Sequence, residues 1–200
     1  MAGRVSLFID LQNFYHGARR AFHRRGGPGS LGQISPWKLG ELLCAKPVQD
    51  SNSQERELME VRVYRGMPRL GSPGYDAVQR QHAHWANNGV TVITRPLRRR
   101  NDSWVEKGID VELALDVVLG GVEGRFDVGI ICSADTDMLP AIEKIQRRTH
   151  QISATVEAAN WWSPPEVDYQ LGSEPGIWTH RLDSYDYRRV RDPRNYTRRR

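Results

Sequence analysis

The chain has 200 residues, 38% of them hydrophobic and 26% charged, with a formal net charge of +5. That is enough for one domain with a real core and a short appendage, and the balance is that of a globular protein. No apolar run approaches the ~20 residues that span a bilayer. The carboxylate of Asp10 comes too early for a secretory leader, so a cytoplasmic protein with no membrane partner is expected.

Residues 5–10 form a short apolar run ending in a carboxylate, the pattern of a buried strand. Phe14, Ala18, Ala21 and Phe22 then recur at helical spacing, and Gly26-Gly27-Pro28-Gly29-Ser30 ends that helix. Residues 37–44 read as a short helix and 47–53 as a loop. Residues 60–64 alternate as a strand does, and the glycines and prolines of 65–74 predict a loop. A helix over 75–88 closes on Asn88-Gly89, a strand occupies 90–94 and a basic loop runs over 95–103. An apolar helix covers 111–119, and the continuous apolar run of 128–133 predicts a strand buried on both faces. A helix over 139–148 and a last strand over 152–156 follow. Residues 161–165 read as a loop, 177–182 as a strand or extended segment, and the Arg-rich end as partly disordered. The two cysteines, Cys44 and Cys132, sit in apolar runs as core residues, which excludes a disulfide framework and a Cys-based zinc site.

Strands alternating with helices predict an α/β fold, a parallel sheet with helices on both faces, over residues 1–160. Residues 161–200 then form a C-terminal extension with an Arg/Tyr-rich tail. Ligands in such sheets bind beyond the carboxyl ends of the strands, where the strand order reverses. Three acidic segments fall near such ends: Phe8-Ile9-Asp10-Leu11-Gln12-Asn13, Lys107-Gly108-Ile109-Asp110 continuing to Asp116, and Ser133-Ala134-Asp135-Thr136-Asp137. Each carboxylate lies beside apolar neighbours, where an unpaired charge is expensive. A divalent cation relieves the mutual repulsion of several, and hard oxygen donors select Mg2+ or Mn2+ over zinc. Each segment also has an ordinary reading. Asp10 or Asp110 can cap the helix that follows, Asp135 and Asp137 can form a turn and a cap, and Asp116 can be a solvated helix residue. Taken together they predict one acidic metal site drawn from Asp10, Asp110, Asp116, Asp135 and Asp137.

These segments resemble the NYN domain, in its LabA-like branch of the PIN-like nuclease superfamily, over roughly residues 5–157. The strand-ending Asp10 followed by Asn13, the run from Lys107 to Asp110 with Asp116, and the Ser133-Ala134-Asp135-Thr136-Asp137 segment carry the likeness. Ala134 and Met138 stand where the family has Gly and Phe. An Ala in a backbone that needed φ > 0 would cost about 1 kcal/mol. The resemblance implies a Rossmann-like, PIN-like sheet of order 3-2-1-4-5. It also implies a metal-dependent endoribonuclease that leaves 5′-phosphate and 3′-hydroxyl ends. Asp10, Asp110, Asp135 and Asp137 would hold one or two Mg2+ or Mn2+ ions, and Asn13 would orient Asp10 or bind phosphate.

RNA must approach an acidic pocket along basic flanks. Arg95, Arg98, Arg99, Arg100 and Lys107 precede the second motif and are candidate RNA contacts, against a reading as a solvated loop. Ser133 either supports a carboxylate or contacts phosphate. The tail interleaves Tyr185, Tyr187 and Tyr196 with seven arginines from Arg188 onward, which suits single-stranded RNA or a solubilising tail equally. His82 and His84 lack metal-ligand spacing, and Trp161 and Trp162 read as packing or a subunit contact. A non-catalytic RNA-binding or regulatory module on the same fold and a phosphohydrolase of small esters are the competing functions. A homo-oligomer or a protein regulator is compatible with either.

Overall fold

The computed structural model describes residues 2–23, 27–46, 55–101, 103–147, 152–163, 171 and 176–197. The expected loop at 47–53, Pro164-Pro165 and Arg198 to Arg200 lie outside the described residues.

In chain order the elements are β1 (Gly3–Asp10), α1 (Leu11–Phe22), α2 (Pro36–Ala45), β2 (Arg56–Met67), α3 (Tyr75–Ala86) and β3 (Val90–Pro96). A hairpin of β4 (Arg98–Arg100) and β5 (Ser103–Val105) leads to α4 (Ile109–Val122). Then come β6 (Val128–Cys132), a 3-10 turn (Thr136–Met138), α5 (Leu139–Gln146), β7 (Thr155–Trp161), β8 (Thr179–Leu182) and α6 (Ser184–Val190).

The main sheet runs β3-β2-β1-β6-β7-β8, and every neighbouring pair is parallel. Counting only its strands, this is the expected order 3-2-1-4-5 with a sixth strand added at one edge. The chain moves outward from β1 to β3, then returns to the other side of β1 at β6. The reversal therefore lies between β1 and β6, where a crevice opens beyond the carboxyl ends.

Alternation along the strands splits the core in two. Val5, Leu7 and Ile9 of β1 face a layer with Phe14, Leu39, Leu43, Trp85 and Tyr187 from α1, α2, α3 and α6. Phe8, Tyr64 and Ile131 face Leu113, Val117, Ile142 and Ile145 from α4 and α5. Both faces are covered, as a parallel sheet requires.

Four boundaries differ from the sequence pattern. β2 starts at Arg56 and continues to Met67, because its ends pair with β1 and β3 even where the residues are charged or glycine. Residues 65–67 are thus strand, not loop. β7 begins at Thr155 and includes Trp161. Its Glu157 is buried but satisfied, receiving Arg56 Nη1 at 2.9 Å and His180 at 2.7 Å. The basic loop is a hairpin whose Arg99 opposes Trp104. Residues 184–190 form α6, with a capping box between Asp183 and Asp186, where the sequence pattern assigned no element, while β8 at 179–182 falls inside the expected strand or extended segment. Trp161 packs on Phe14, Phe22 and Tyr187 and donates its indole N–H to the Phe14 carbonyl at 2.9 Å, a core role. Among the described residues no helix is long and apolar enough to cross a membrane.

Candidate active site

Asp10 ends β1 and caps α1. Its Oδ1 accepts the Asn13 backbone N–H at 3.0 Å, which satisfies a donor that the first helical turn leaves free. Its Oδ2 accepts the hydroxyl of Ser133 at 3.2 Å, from the residue that follows β6. Ser133 Oγ in turn accepts the Asp135 N–H at 3.1 Å, and Asp135 Oδ1 accepts the Asp137 N–H at 3.0 Å. The Asn13 side-chain oxygen accepts the Ala134 N–H at 2.9 Å. The two central strand ends are stitched together by side chains that cap turns. The ordinary reading of Asp10 and Asp135 as caps is therefore correct, and it does not compete with a site, because each cap uses one carboxylate oxygen for the turn.

The second segment is set by Gly108, which caps α4 at φ 78°. That left-handed conformation favours glycine. It places Asp110 in the exposed first turn of α4 rather than at the cap itself, where the helix dipole stabilises a carboxylate. Gly66, at the end of β2, lets Leu97 and Glu106 settle onto the strand. A Cβ there would lie 2.2 Å from Leu97 and 2.7 Å from Glu106. The Glu106 carboxylate accepts the Gly66 N–H.

These elements frame an open pocket of about 550 Å³. Asp10, Glu106, Asp110 and Asp135 line it, with Arg20, His16 and Lys107 around them. Burial raises the Asp10 carboxyl above its ordinary range. The Asn13 N–H and the Ser133 hydroxyl oppose that rise, and the charges of Asp135 and Asp110 add to it. Burial raises Glu106 as well, against the Gly66 N–H and Arg65, with Asp10 and Asp110 pushing the same way. Four carboxyl groups thus feel one another. Among the described residues no ion pair neutralises Asp10, Asp110 or Asp135.

Two of the five expected aspartates are elsewhere. Asp116 lies further along α4, turned onto the sheet face of β2. Its Oδ2 accepts Arg62 Nη2 at 2.8 Å and the Tyr64 hydroxyl at 2.7 Å. It does not line the pocket, because a helix carries residues six apart to different faces. Asp137 is exposed on the 3-10 turn and is also absent from the pocket wall. Three residues per turn send it away from Asp135. Arg95 is in β3 and ion-paired with Glu112, while Arg98, Arg99 and Arg100 are exposed on β4. Lys107 reaches the pocket. Ser133 is fully buried and supports carboxylates rather than facing solvent. Ala134 has no left-handed backbone, so the Gly-to-Ala departure carries no φ penalty. Met138 is buried in the second core layer.

The sequence reading missed Glu106 and the α1 face of Gln12, His16 and Arg20. Both had a signal. Glu106 adjoins Lys107, and the α1 residues recur every four positions on one side of a helix that begins at Asp10.

Carboxylates are the donors that a hard dication takes, and among the described residues Asp10, Asp110 and Asp135 have no ion-pair partner. In chemistry they fit Mg2+ or Mn2+. In position they stand apart: among the described residues, no three acidic or histidine groups lie close enough together to hold one ion.

A family model described as NYN domain matches residues 4–161. No curated protein matches the chain in sequence. Among solved structures, the chain is similar to the crystal structure of a protein of unknown function, VPA0982, from Vibrio parahaemolyticus RIMD 2210633. The identity is 20% and the TM-score 0.58, with 92% of this chain and 94% of that one covered. At that identity the likeness concerns the fold alone.

Proposed function

The chain belongs to the NYN domain family, which has a PIN-like nuclease fold, and from that premise we propose that it is a metal-dependent endoribonuclease. The observation that carries the reading is the set of mutually repelling carboxylates, Asp10, Glu106, Asp110 and Asp135, around one pocket at the β1/β6 reversal.

For Asp10, Asp110 and Asp135, with Glu106 beside them, to hold Mg2+ or Mn2+, their side chains would have to turn in on the ion, since among the described residues no three lie close enough to hold one as placed. When bound, such an ion supplies Lewis acidity at the phosphate oxygens and lowers the pKa of water next to the scissile phosphorus. The protein's own groups do the rest. Ser133 and the Asn13 N–H fix the two oxygens of Asp10, so its carboxylate cannot rotate freely. Arg20 and Lys107 on the rim offset the repulsion between the carboxylates and RNA phosphates. Arg98, Arg99 and Arg100 extend that basic path along the hairpin. Arg95 contributes less, since Glu112 already engages it.

The test is cleavage of end-labelled RNA with Mg2+ or Mn2+. We expect cleavage by the unmodified protein and none with EDTA, Asp10→Asn or Asp135→Asn. Cleavage that survives all three would sink the reading. The separation of the carboxylates favours a second reading, a non-catalytic RNA-binding module on the same fold. Metal-independent RNA binding without any cleavage would establish it.

A further inference from the structure

A second cleft, of about 730 Å³, opens beside the acidic pocket. The two share Gln12, His16 and Glu106 as a common wall. Its volume is that of a small-molecule site, and its lining mixes broad apolar surfaces with a few polar groups. Tyr15 of α1, Trp104 of β5 and Tyr196 supply aromatic surfaces. Trp104 is 49% exposed although it is a large hydrophobic residue.

The polar groups of the cleft are underused. Arg65 makes one side-chain hydrogen bond among the described residues, from Nη1 to Gln81 Oε1 at 2.9 Å, which leaves most of its five donors open. Trp85 is only 2% exposed, and its indole Nε1 has no partner among the described residues. Gln33 Oε1, on the same cleft, also lacks one. Flat apolar walls, a planar guanidinium, a free donor and a free acceptor together suit a flat heteroaromatic ring with a polar edge.

We propose that this cleft receives the nucleobase of an unpaired RNA nucleotide whose phosphate lies at the acidic pocket. The shared residues put the two spaces side by side, close enough for one nucleotide to reach from one into the other. The base stacks on Trp104 or Tyr15, and Arg65 and Gln81 meet its polar edge. Arg99, cross-strand from Trp104, lies where the adjoining backbone leaves the cleft. A base held in a duplex cannot enter, so the cleft selects single-stranded or looped RNA. The placement of the phosphate rests on the nuclease reading, whereas occupation of the cleft by a base does not.

The test uses the full chain in EDTA, so that binding is read without catalysis. The four nucleoside 5′-monophosphates are titrated while the indole N–H resonances are followed by NMR, assigned with Trp→Phe variants. The signals of Trp85 and Trp104 should move and those of Trp161 and Trp162 should not. A single-stranded 12-mer should bind more tightly than the same sequence as a duplex. Trp104→Ala should weaken the single strand at least about fivefold, and Trp104→Phe should restore most of it. Trp104 is exposed, so this variant keeps the fold, which a thermal melt checks. Arg65→Gln gives a second reading from the floor of the cleft. Shifts spread over all indoles, or single-strand affinity unchanged by Trp104→Ala and Arg65→Gln, would overturn the proposal. Base binding in a protein that cuts no RNA keeps this inference and removes the nuclease reading. Cleavage that ignores the cleft variants and the strandedness of the RNA does the reverse.

Discussion

The side-chain oxygen of Asn13 accepts the backbone N–H of Ala134 at 2.9 Å, while the backbone N–H of Asn13 donates to the capping carboxylate of Asp10 at 3.0 Å. One uncharged residue therefore sets both the orientation of a carboxylate on β1 and the path of the chain leaving β6. It holds together the two sides of the crevice that the sheet reversal opens.

Asn13→Ala is expected to act through position rather than charge. It leaves the part-buried Ala134 N–H without its acceptor, at about 1–2 kcal/mol of stability. The Ser133-Ala134-Asp135 turn loses its tie to α1. Cleavage should fall about 10–100-fold, the range for residues that orient ligands, with kcat affected more than KM. A denaturant titration and steady-state kinetics on one RNA substrate read the two effects separately. Wild-type kcat at lowered stability would show that the tie is structural only.

Asp116 and Glu106 should exchange the roles that their sequence positions suggest. Asp116→Asn weakens a partly buried cluster with Arg62 and Tyr64 of β2. A loss of about 1–3 kcal/mol is expected, with cleavage within twofold of wild type. Glu106→Gln should lower cleavage at least tenfold while stability stays level or rises, since burial and the neighbouring carboxylates disfavour its charge. Parallel thermal melts and cleavage rates on the two variants decide between the assignments.

The difference between those two residues marks what the sequence could and could not convey. Asp10 and Asp135 were legible because each ends or follows an apolar strand run, and strand ends are where such sheets gather ligands. Asp116 was misplaced because its motif gives spacing, while the side of α4 that it occupies is fixed by where Gly108 starts the helix and by Arg62, 54 positions away in sequence. Glu106 was hidden because its importance comes from the Gly66 N–H, a contact across forty residues. Alternation predicted a parallel α/β sheet, and only the resemblance implied its order. Residues 177–182 read as a strand or extended segment, but the place of β8 beside β7 did not follow, because so few residues carry that pairing and it depends on tertiary packing.

His82 gives a pH dependence of known sign. Burial, aided by the charge of Arg65, pushes it down to about 4 from an ordinary 6.5. The unfolded chain therefore binds a proton more readily than the fold between those values. The stability from neutral His82 is complete above pH 6.5 and is lost as the pH falls towards 4. The full linkage is about 3 kcal/mol, and solvent access to this half-buried ring reduces it to about 1–2. Asp10 and Glu106, raised in the fold, push the other way, so the quantity to measure is the difference between wild type and His82→Gln. Denaturant titrations at intervals from pH 7 to pH 4 should show that difference shrinking as the pH falls. A difference that is flat across the window would mean the ring titrates normally.

Metal binding should be visible without catalysis. Asp10 is half-buried, with its charge disfavoured by that burial and by Asp135 and Asp110, so a cation that joins them stabilises the fold by mass action. At a Mn2+ concentration one hundred times its dissociation constant, the gain is about 2.7 kcal/mol. Asp10→Asn should remove most of that gain. The same substitution should also leave the metal-free protein as stable as wild type or more so, because it deletes a repelled charge and keeps an oxygen for the Asn13 N–H. The expected pattern is thus a crossing: wild type below the variant in EDTA and above it in Mn2+. Differential scanning calorimetry of both proteins under both conditions measures it. If Mn2+ raises the two melting temperatures equally, the ion binds elsewhere, and Asp10 is a helix cap and nothing more.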